Sequence, residues 1–457
     1  MRTILGVTGI RSEYDIMSSV FHAINDHADL NFQVFVTGAH LSSAYGLTVE
    51  EIQKDGFLIA DQVDSLINGD TDSCRVKGLA IQLQGLIQTV VRLRPDILLV
   101  LGDREESMTT ALVGAYMNIP VAHVAGGDRV IGNVDDQIRH AVSKLSHVHF
   151  TTNEESKQRL LKLGEQDFRV FNVGNPGLDR LVHTRQLSVK ELSQRLDVKL
   201  SSGQPYLVLI QHIISSEINQ AYEQMVITLE AIKELGITTI LSYPNSDAGG
   251  QEMIRAIEEY RFQIPHLHIF KNIPRLEFVN ILRNASCLVG NSSAGILEAP
   301  ILKLAVVNIG NRQSERLHSE NVTFIPHQKD QIISAITNSL YDPEVKKRVD
   351  NCINPYGDGS SSSRIASILA ELIIDENLLT KLLYTDLSPI ISFRKKSPKD
   401  LLIIAAMYFV FLLAALVAAD LALPSFLRCV FPSILIRSCS SFLAPTSHVF
   451  QPSANAI

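Results

Sequence analysis

Residues 97–128 read ILLVLGDREESMTTALVGAYMNIPVAHVAGGD. The apolar run Ile97–Leu101 stops at Gly102 and gives way to Asp103, Arg104 and Glu106. A longer stretch of helical character follows. A second apolar run, Val121–Val124, then turns at Gly126–Gly127 and presents Asp128. Runs this short, bounded by glycine and uninterrupted by charge, are strands buried on both faces. Two of them with a helix between make a parallel pair with a crossover connection.

The same alternation spreads in both directions. Thr3–Val7, Phe32–Thr37 and His147–Thr151 read as further strands, and Tyr14–Asn25, Ile81–Leu93 and Asp135–Leu145 as helices. After the Gly/Pro-rich break FNVGNPGLDRL (171–181) comes a helical stretch, Val189–Leu200. A second series of strands follows: Tyr206–Ile210, Thr239–Ser242, Leu267–Phe270, Cys287–Val289 and Ala305–Asn308. The predicted fold is α/β, with two Rossmann-like doubly wound domains, 1–175 and 176–375, facing each other across a central cleft. Residues 376–400 read as a linker. Ligands of such sheets bind beyond the carboxyl ends of the strands, so each motif can be judged by whether it follows one.

The chain has 457 residues, 46% hydrophobic and 19% charged, and a formal net charge of -7. That length suits two or three domains. The charge offers no generally basic surface, so a nucleic acid is not the expected partner. Cys74, Cys287, Cys352, Cys429 and Cys439 are widely spaced, and no C-x-x-C occurs. Reduced thiols and a cytoplasmic catalytic part are expected, with no zinc site. The start, MRTILGVTGIRSEYD, has no signal-peptide core. The last 60 residues differ. Leu401–Ala419 is an uncharged apolar run about as long as a bilayer span, preceded by Arg394, Lys395, Lys396 and Lys399. It reads either as a transmembrane helix (401–420) anchoring the protein to the inner face of a membrane, or as an appended tail without a part in the chemistry. Residues 421–457 have no clear period.

Four motifs follow strands in the first domain. TGIRSEYD (8–15) sets Arg11 and Ser12 in the first strand-to-helix loop, where a planar guanidinium suits phosphate; an Arg at a helix start is equally at home in solvent. No G-x-G-x-x-G occurs there, so the dinucleotide fingerprint is missing. GDREE (102–106) sets Asp103 and Arg104 at a buried strand's end, although an Asp can simply cap a helix. GGD (126–128) brings Asp128. VDDQIRHAVSKLSH (134–147) opens a helix at Asp135 and Asp136, where acids are favoured in any case. If Asp103, Asp128 and Asp135 converge, each raises the others' pKa, which is how acid and base roles are set apart in one site. His140 and His147 read more simply as packed side chains.

The second domain contributes IQHIISSE (210–217), SYPNSDAGG (242–250), GNSSAG (290–295) and NIGNRQSER (308–316). In GNSSAG small residues let backbone amides and the Ser292 and Ser293 hydroxyls approach an anion such as a diphosphate. The plain alternative is a strand-to-helix turn with a serine cap. His212 reads as a cleft acid, base or phosphate donor. Asn245 and Asp247 lie in a loop rich in turn residues. Arg312 and Arg316 add cations.

Taken in order, TGIRSEYD, GDRE, GGD with VDDQIRHAVSKLSH, GNPGLD, YPNSDAG, VGNSSAGILEAP, NIGNRQSER and NPYGDGSSS resemble the hydrolysing UDP-N-acetylglucosamine 2-epimerases of sialic- and legionaminic-acid synthesis. The resemblance covers residues 3 to about 370. It implies the two-domain GT-B fold, a nucleotide-sugar substrate, no metal and no cofactor, and a homo-oligomer. The implied reaction converts UDP-GlcNAc and water to UDP and N-acetylmannosamine, by elimination to a glycal and hydration with inversion at C2. Asp103 and Asp135 fall on the family's catalytic carboxylates, and His212 on its substrate-binding histidine. Arg11, Arg104, Ser292, Ser293, Glu298 and Arg312 fall on nucleotide contacts, and Asn245 on a substrate contact. Glu298 would hold the ribose hydroxyls. The chain departs from the family at Ala125, where many members carry a catalytic glutamate; Asp128 is the candidate to replace it. The same motifs also fit a 2,4-diacetamido-trideoxyhexose nucleotide as substrate, a non-hydrolysing epimerase, a GT-B glycosyltransferase, or a nucleotide-sugar binding protein without turnover.

Overall fold

The computed structural model describes residues 1–382, except 68, 70, 130–133 and 246–248. The candidate span 401–419, the tail 421–457, linker residues 383–400 and Asp247 lie outside the described residues. Among those described, no helix is long and apolar enough to cross a membrane.

The first half runs β1 (Arg2–Thr8), α1 (Arg11–Asn25), β2 (Leu30–Thr37), α2 (Val49–Lys54), β3 (Ile59–Val63), α3 (Asp72–Leu93), β4 (Ile97–Leu101) and α4 (Glu105–Met117). It continues with β5 (Val121–Val124), α5 (Val134–Leu145), β6 (Val148–Thr151), α6 (Glu154–Lys162) and β7 (Val170–Asn172). All strand pairs are parallel, in the order β3-β2-β1-β4-β5-β6-β7. The order reverses between β1 and β4, so the loops after these strands open at a switch point, where ligands are received.

The second half runs α7 (Gly177–His183), α8 (Val189–Leu196), β8 (Leu207–Ile210), α9 (Ala221–Leu235), β9 (Thr239–Ser242), α10 (Gly250–Tyr260) and β10 (Leu267–Phe270). Then come α11 (Arg275–Asn284), β11 (Cys287–Gly290), α12 (Ala294–Leu297), β12 (Ala305–Ile309), β13 (Val322–Ile325), α13 (Lys329–Tyr341) and α14 (Pro343–Asn351). Its six parallel strands stand in the order β10-β9-β8-β11-β12-β13, with the reversal between β8 and β11. Each sheet is covered on both faces by apolar clusters, as parallel sheets require.

Two features differ from the expected organisation. The helix beginning at Val189 ends at Leu196 rather than Leu200, because Asp197 takes a left-handed conformation (φ 53°) and stops it. The chain also returns to the first domain at its described end. In α15 (Ser361–Glu371) and α16 (Glu376–Leu379), the side chains of Ile365, Ala366, Leu369 and Leu378 enter the first sheet's core beside Met17, Val20 and Phe21. The Arg169 guanidinium donates to the carbonyls of Asn377, Leu378 and Thr380, and Lys381 pairs with buried Glu165 at 2.8 Å. Residues 361–375, expected in the second domain, and 376–382, expected as linker, are thus bound to the first.

Candidate active site

Three groups of side chains form at the carboxyl ends of the two sheets. The first is built around Arg139 of α5, which is 9% exposed. One Nη donates to the Ala125 carbonyl (2.8 Å) and the other to the Asp103 carboxylate. Burial holds the Asp103 carboxyl above the usual range despite this partner, and the neighbouring charge of Asp135 pushes the same way. Asp128 lies within the field of Arg139, and burial raises its pKa too. One of its oxygens accepts from the hydroxyls of Thr152 and Ser156, both at 2.7 Å. Asp103 and Asp128 therefore lie in the field of one arginine, and Asp135 is near enough to Asp103 for its charge to act there. Ala125, with φ 59° and its side chain buried, adds no carboxylate.

The second group is a cleft of about 620 Å³ lined from both domains, by Arg11, Asn175, Arg275, Ser292, Ser293 and Glu298 among others. Arg11 lies 3.6 Å from Glu51 and 4.0 Å from Asp15. Ser12 is exposed beside it in the first turn of α1. Glu298 pairs with Arg275 at 3.0 Å. The turn into GNSSAG needs glycine at 290: its φ is 119°, and a Cβ there would sit 2.1 Å from the Ile210 carbonyl oxygen.

The third group is organised by Asn291, buried between β8 and β12. Its side chain accepts from the His212 backbone N–H (2.7 Å) and donates to the His212 carbonyl (2.8 Å). Its own carbonyl accepts from Arg312 (3.1 Å) and Gln313 (3.0 Å). The Asn245 N–H donates to Nδ1 of His212 at 3.1 Å. A neutral His212 consequently carries its proton on Nε2.

Arg104 stands apart from these groups, 3.4 Å from Glu106 and 3.9 Å from Glu13. His140 pairs with Asp136 at 3.3 Å, and His147 is buried with Nδ1 accepting from the Val121 N–H, as packed side chains would. The sequence offers no role for Arg139, Asn291, Glu13 or Glu106, although Glu106 stands among the charges that follow the Ile97–Leu101 strand. Arg139 carried a signal, standing four residues after Asp135 on one helix face. Buried Glu13 and Glu106 carried none beyond that of acids in a first helical turn.

The three groups hold, in turn, perturbed carboxylates, the cations and hydroxyls of the cleft, and an oriented imidazole; Asp103, Asp128, Asp135 and His212 are not among the residues that line that cleft. The UDP-N-acetylglucosamine 2-epimerase family model matches residues 22–370. The chain belongs to this family. A relative named UDP-N,N'-diacetylbacillosamine 2-epimerase (hydrolyzing), from Legionella pneumophila, is 35% identical over 83% of this chain and 99% of its own length. Another, the GDP/UDP-N,N'-diacetylbacillosamine 2-epimerase (hydrolyzing) of Campylobacter jejuni, is 32% identical over 70% of this chain and 83% of its own. The crystal structure of a Neisseria meningitidis UDP-GlcNAc 2-epimerase bound to UDP-GlcNAc superposes with a TM-score of 0.68. It covers 81% of this chain and 100% of the other at 21% identity, which speaks for the shared fold.

Proposed function

We propose that the chain is a hydrolysing 2-epimerase of a UDP-linked 2-acetamido sugar, serving nonulosonic (sialic-type) acid synthesis. The reaction breaks the C1–O bond to UDP, removes the C2 proton to give a glycal, and adds water across the double bond. Hydroxyl goes to C1 and a proton to the opposite face of C2. Such chemistry needs one ionised carboxylate as base and one protonated carboxyl as acid, with pKa values set apart by surroundings. The observation that carries the reading is the Arg139 group: Asp103, raised by burial and by Asp135, gripped in place by a buried guanidinium.

In this reading Asp103 and Asp135 exchange protons with the sugar, and Asp128 supplies the carboxylate absent at Ala125. Arg11, Arg104, Ser292, Ser293 and Arg312 receive the diphosphate, whose departure as an anion they favour. Nε2–H of His212 donates to phosphate or sugar. Glu298 takes the ribose hydroxyls, Asn245 the sugar, and Ser12 shapes the first loop.

A 4-acetamido substrate, UDP-N,N'-diacetylbacillosamine, is favoured over UDP-GlcNAc. The relatives named for it are 35% and 32% identical, against 28% for one from Neisseria meningitidis named UDP-N-acetylglucosamine 2-epimerase. The test is incubation of the full chain with each nucleotide sugar in D2O, followed by proton and phosphorus NMR. UDP release with free sugar deuterated and inverted at C2 is expected, faster with the diacetamido substrate. Return of an epimerised UDP-sugar would show a non-hydrolysing enzyme instead. A second reading, favoured by Ala125, is a binding protein; UDP-sugar held without any UDP release would establish it.

A further inference from the structure

Beneath the first strand-to-helix loop lies a carboxylate pair with no part in the chemistry above. Glu13 of α1 and Glu106 of α4 are 7% and 4% exposed. Glu13 accepts the Gly9 N–H at 3.0 Å. The Glu106 side chain fills the space under Gly9 so closely that a Cβ on residue 9 would lie 1.7 Å from its Oε1. Both carboxylates reach the same Nε of Arg104, at 3.9 and 3.4 Å, and neither that Nε nor Oε2 of Glu106 has a hydrogen-bond partner.

The surrounding charges are few. Arg104 also lies 3.5 Å from Glu105, which is claimed in turn by Arg75. Asp103 is paired with Arg139. His40, behind the loop and bonded to Thr8 at 3.0 Å, is pushed down to about 4 by burial and brings no charge. One guanidinium thus faces two buried carboxylates. If both were ionised, its charge would be spent inside the protein, leaving a net negative site beneath a loop expected to meet a diphosphate. Burial, and then the charge of Glu106, holds Glu13 well above the usual carboxylate range; burial raises Glu106 as well.

We infer that binding of a diphosphate at Arg104 draws one proton from solvent into the Glu13–Glu106 pair, which the two carboxylates then share, releasing the guanidinium to the ligand. The two glutamates are positioning residues that act through Arg104, and the inference rests on the nucleotide-sugar reading. A proton shared between like charges is the ordinary outcome where two acids occupy one buried site.

The experiment is calorimetric titration of the full chain with UDP near neutral pH, in buffers of differing ionisation enthalpy. Any proton exchange by UDP itself or by other side chains is common to wild type and variants, so the difference between them isolates the pair. Wild type is expected to take up as much as one proton more per UDP than Glu106→Gln or Glu13→Gln, in which an amide imitates the protonated acid. The infrared difference spectrum of the wild type alone should gain the carbonyl stretch of a carboxylic acid on addition of UDP, a readout that needs no variant to fold. UDP binding without that band, or with equal uptake in wild type and both variants, overturns the pair's role and leaves the nucleotide reading standing. Failure of the wild type to bind UDP overturns both.

Discussion

Arg139 is the side chain on which the proposed chemistry of Asp103 turns. Its two Nη atoms join the carboxylate on β4's end to the backbone on β5's end, so Asp103 cannot swing without breaking a buried ion pair. Asp103→Asn keeps the shape and removes the ionisable group. It should lower UDP release by roughly 10²–10⁴-fold, the usual worth of a positioned acid or base, and lower the thermal midpoint as well, because Arg139 loses its charged partner. Retained turnover would move the chemistry elsewhere. Asp128→Asn separates a chemical role from a packing one: the amide oxygen can still accept from Thr152 and Ser156. Turnover should fall by a similar factor if Asp128 replaces the family glutamate, and unchanged rates would end that assignment. The acidic members of this group were legible in sequence because Asp103 and Asp128 follow strands and Asp135 opens a helix. Their shared arginine was less so, since a basic residue within a helix ordinarily marks a solvated face.

At the scale of elements, the strand-ends are where sequence and structure agree best. Ile97–Leu101, Val121–Val124, Thr239–Ser242 and Leu267–Phe270 lie where their apolar runs put them. The strands passed over were β3, β7 and β13. Two of these, β3 and β13, are half-buried edge strands whose short runs are interrupted by Asp61–Gln62 and by Thr323, and β7 is only three residues long. Helix α15 was hidden for another reason: the serine tract at its start reads as low complexity. Its first amides are received by the carboxylate of Asp179 in α7, from Ser361 at 3.1 Å and Ser362 at 2.5 Å. Asp179 is 1% exposed, so Asp179→Ala leaves two buried donors unmet. A loss of about 1–3 kcal/mol is expected from urea unfolding, and a midpoint unchanged from wild type would show the cap to be idle.

For the whole molecule, the first domain should be the acid-sensitive half. Burial pushes His40, His147 and His149 down to about 4 and His123 to about 3. An unfolded histidine takes up its proton near pH 6.5. Below that value the unfolded chain binds protons the folded one refuses, so stability present above pH 6.5 is lost as the pH falls toward 4. Each histidine accounts for roughly 3 kcal/mol at the acid end, as an upper bound. Glu13, Glu106, Asp103 and Asp128, whose pKa values are raised, act in the opposite sense and offset part of this loss. Urea midpoints measured from pH 7 to 4.5 should drop steeply, and a flat profile would rule this out. Sequence composition counted these histidines without showing their burial, which for His123, His147 and His149 comes with the pairing of β5 and β6 and for His40 with the packing of Thr8 and Thr48.

The return of α15 and α16 also sets an order of events during synthesis. The first sheet's strands leave the ribosome within the first 172 residues, but part of the apolar surface of α1 is not covered until residues 365–378 have been made. Nearly two hundred residues of the second domain must be translated in between. Even Arg2 waits for its partners, the carbonyls of Leu369, Ala370 and Leu372. A nascent chain stalled anywhere before that point would carry an open hydrophobic groove, a natural client for chaperones, while the second domain, continuous in sequence, could already have closed on itself.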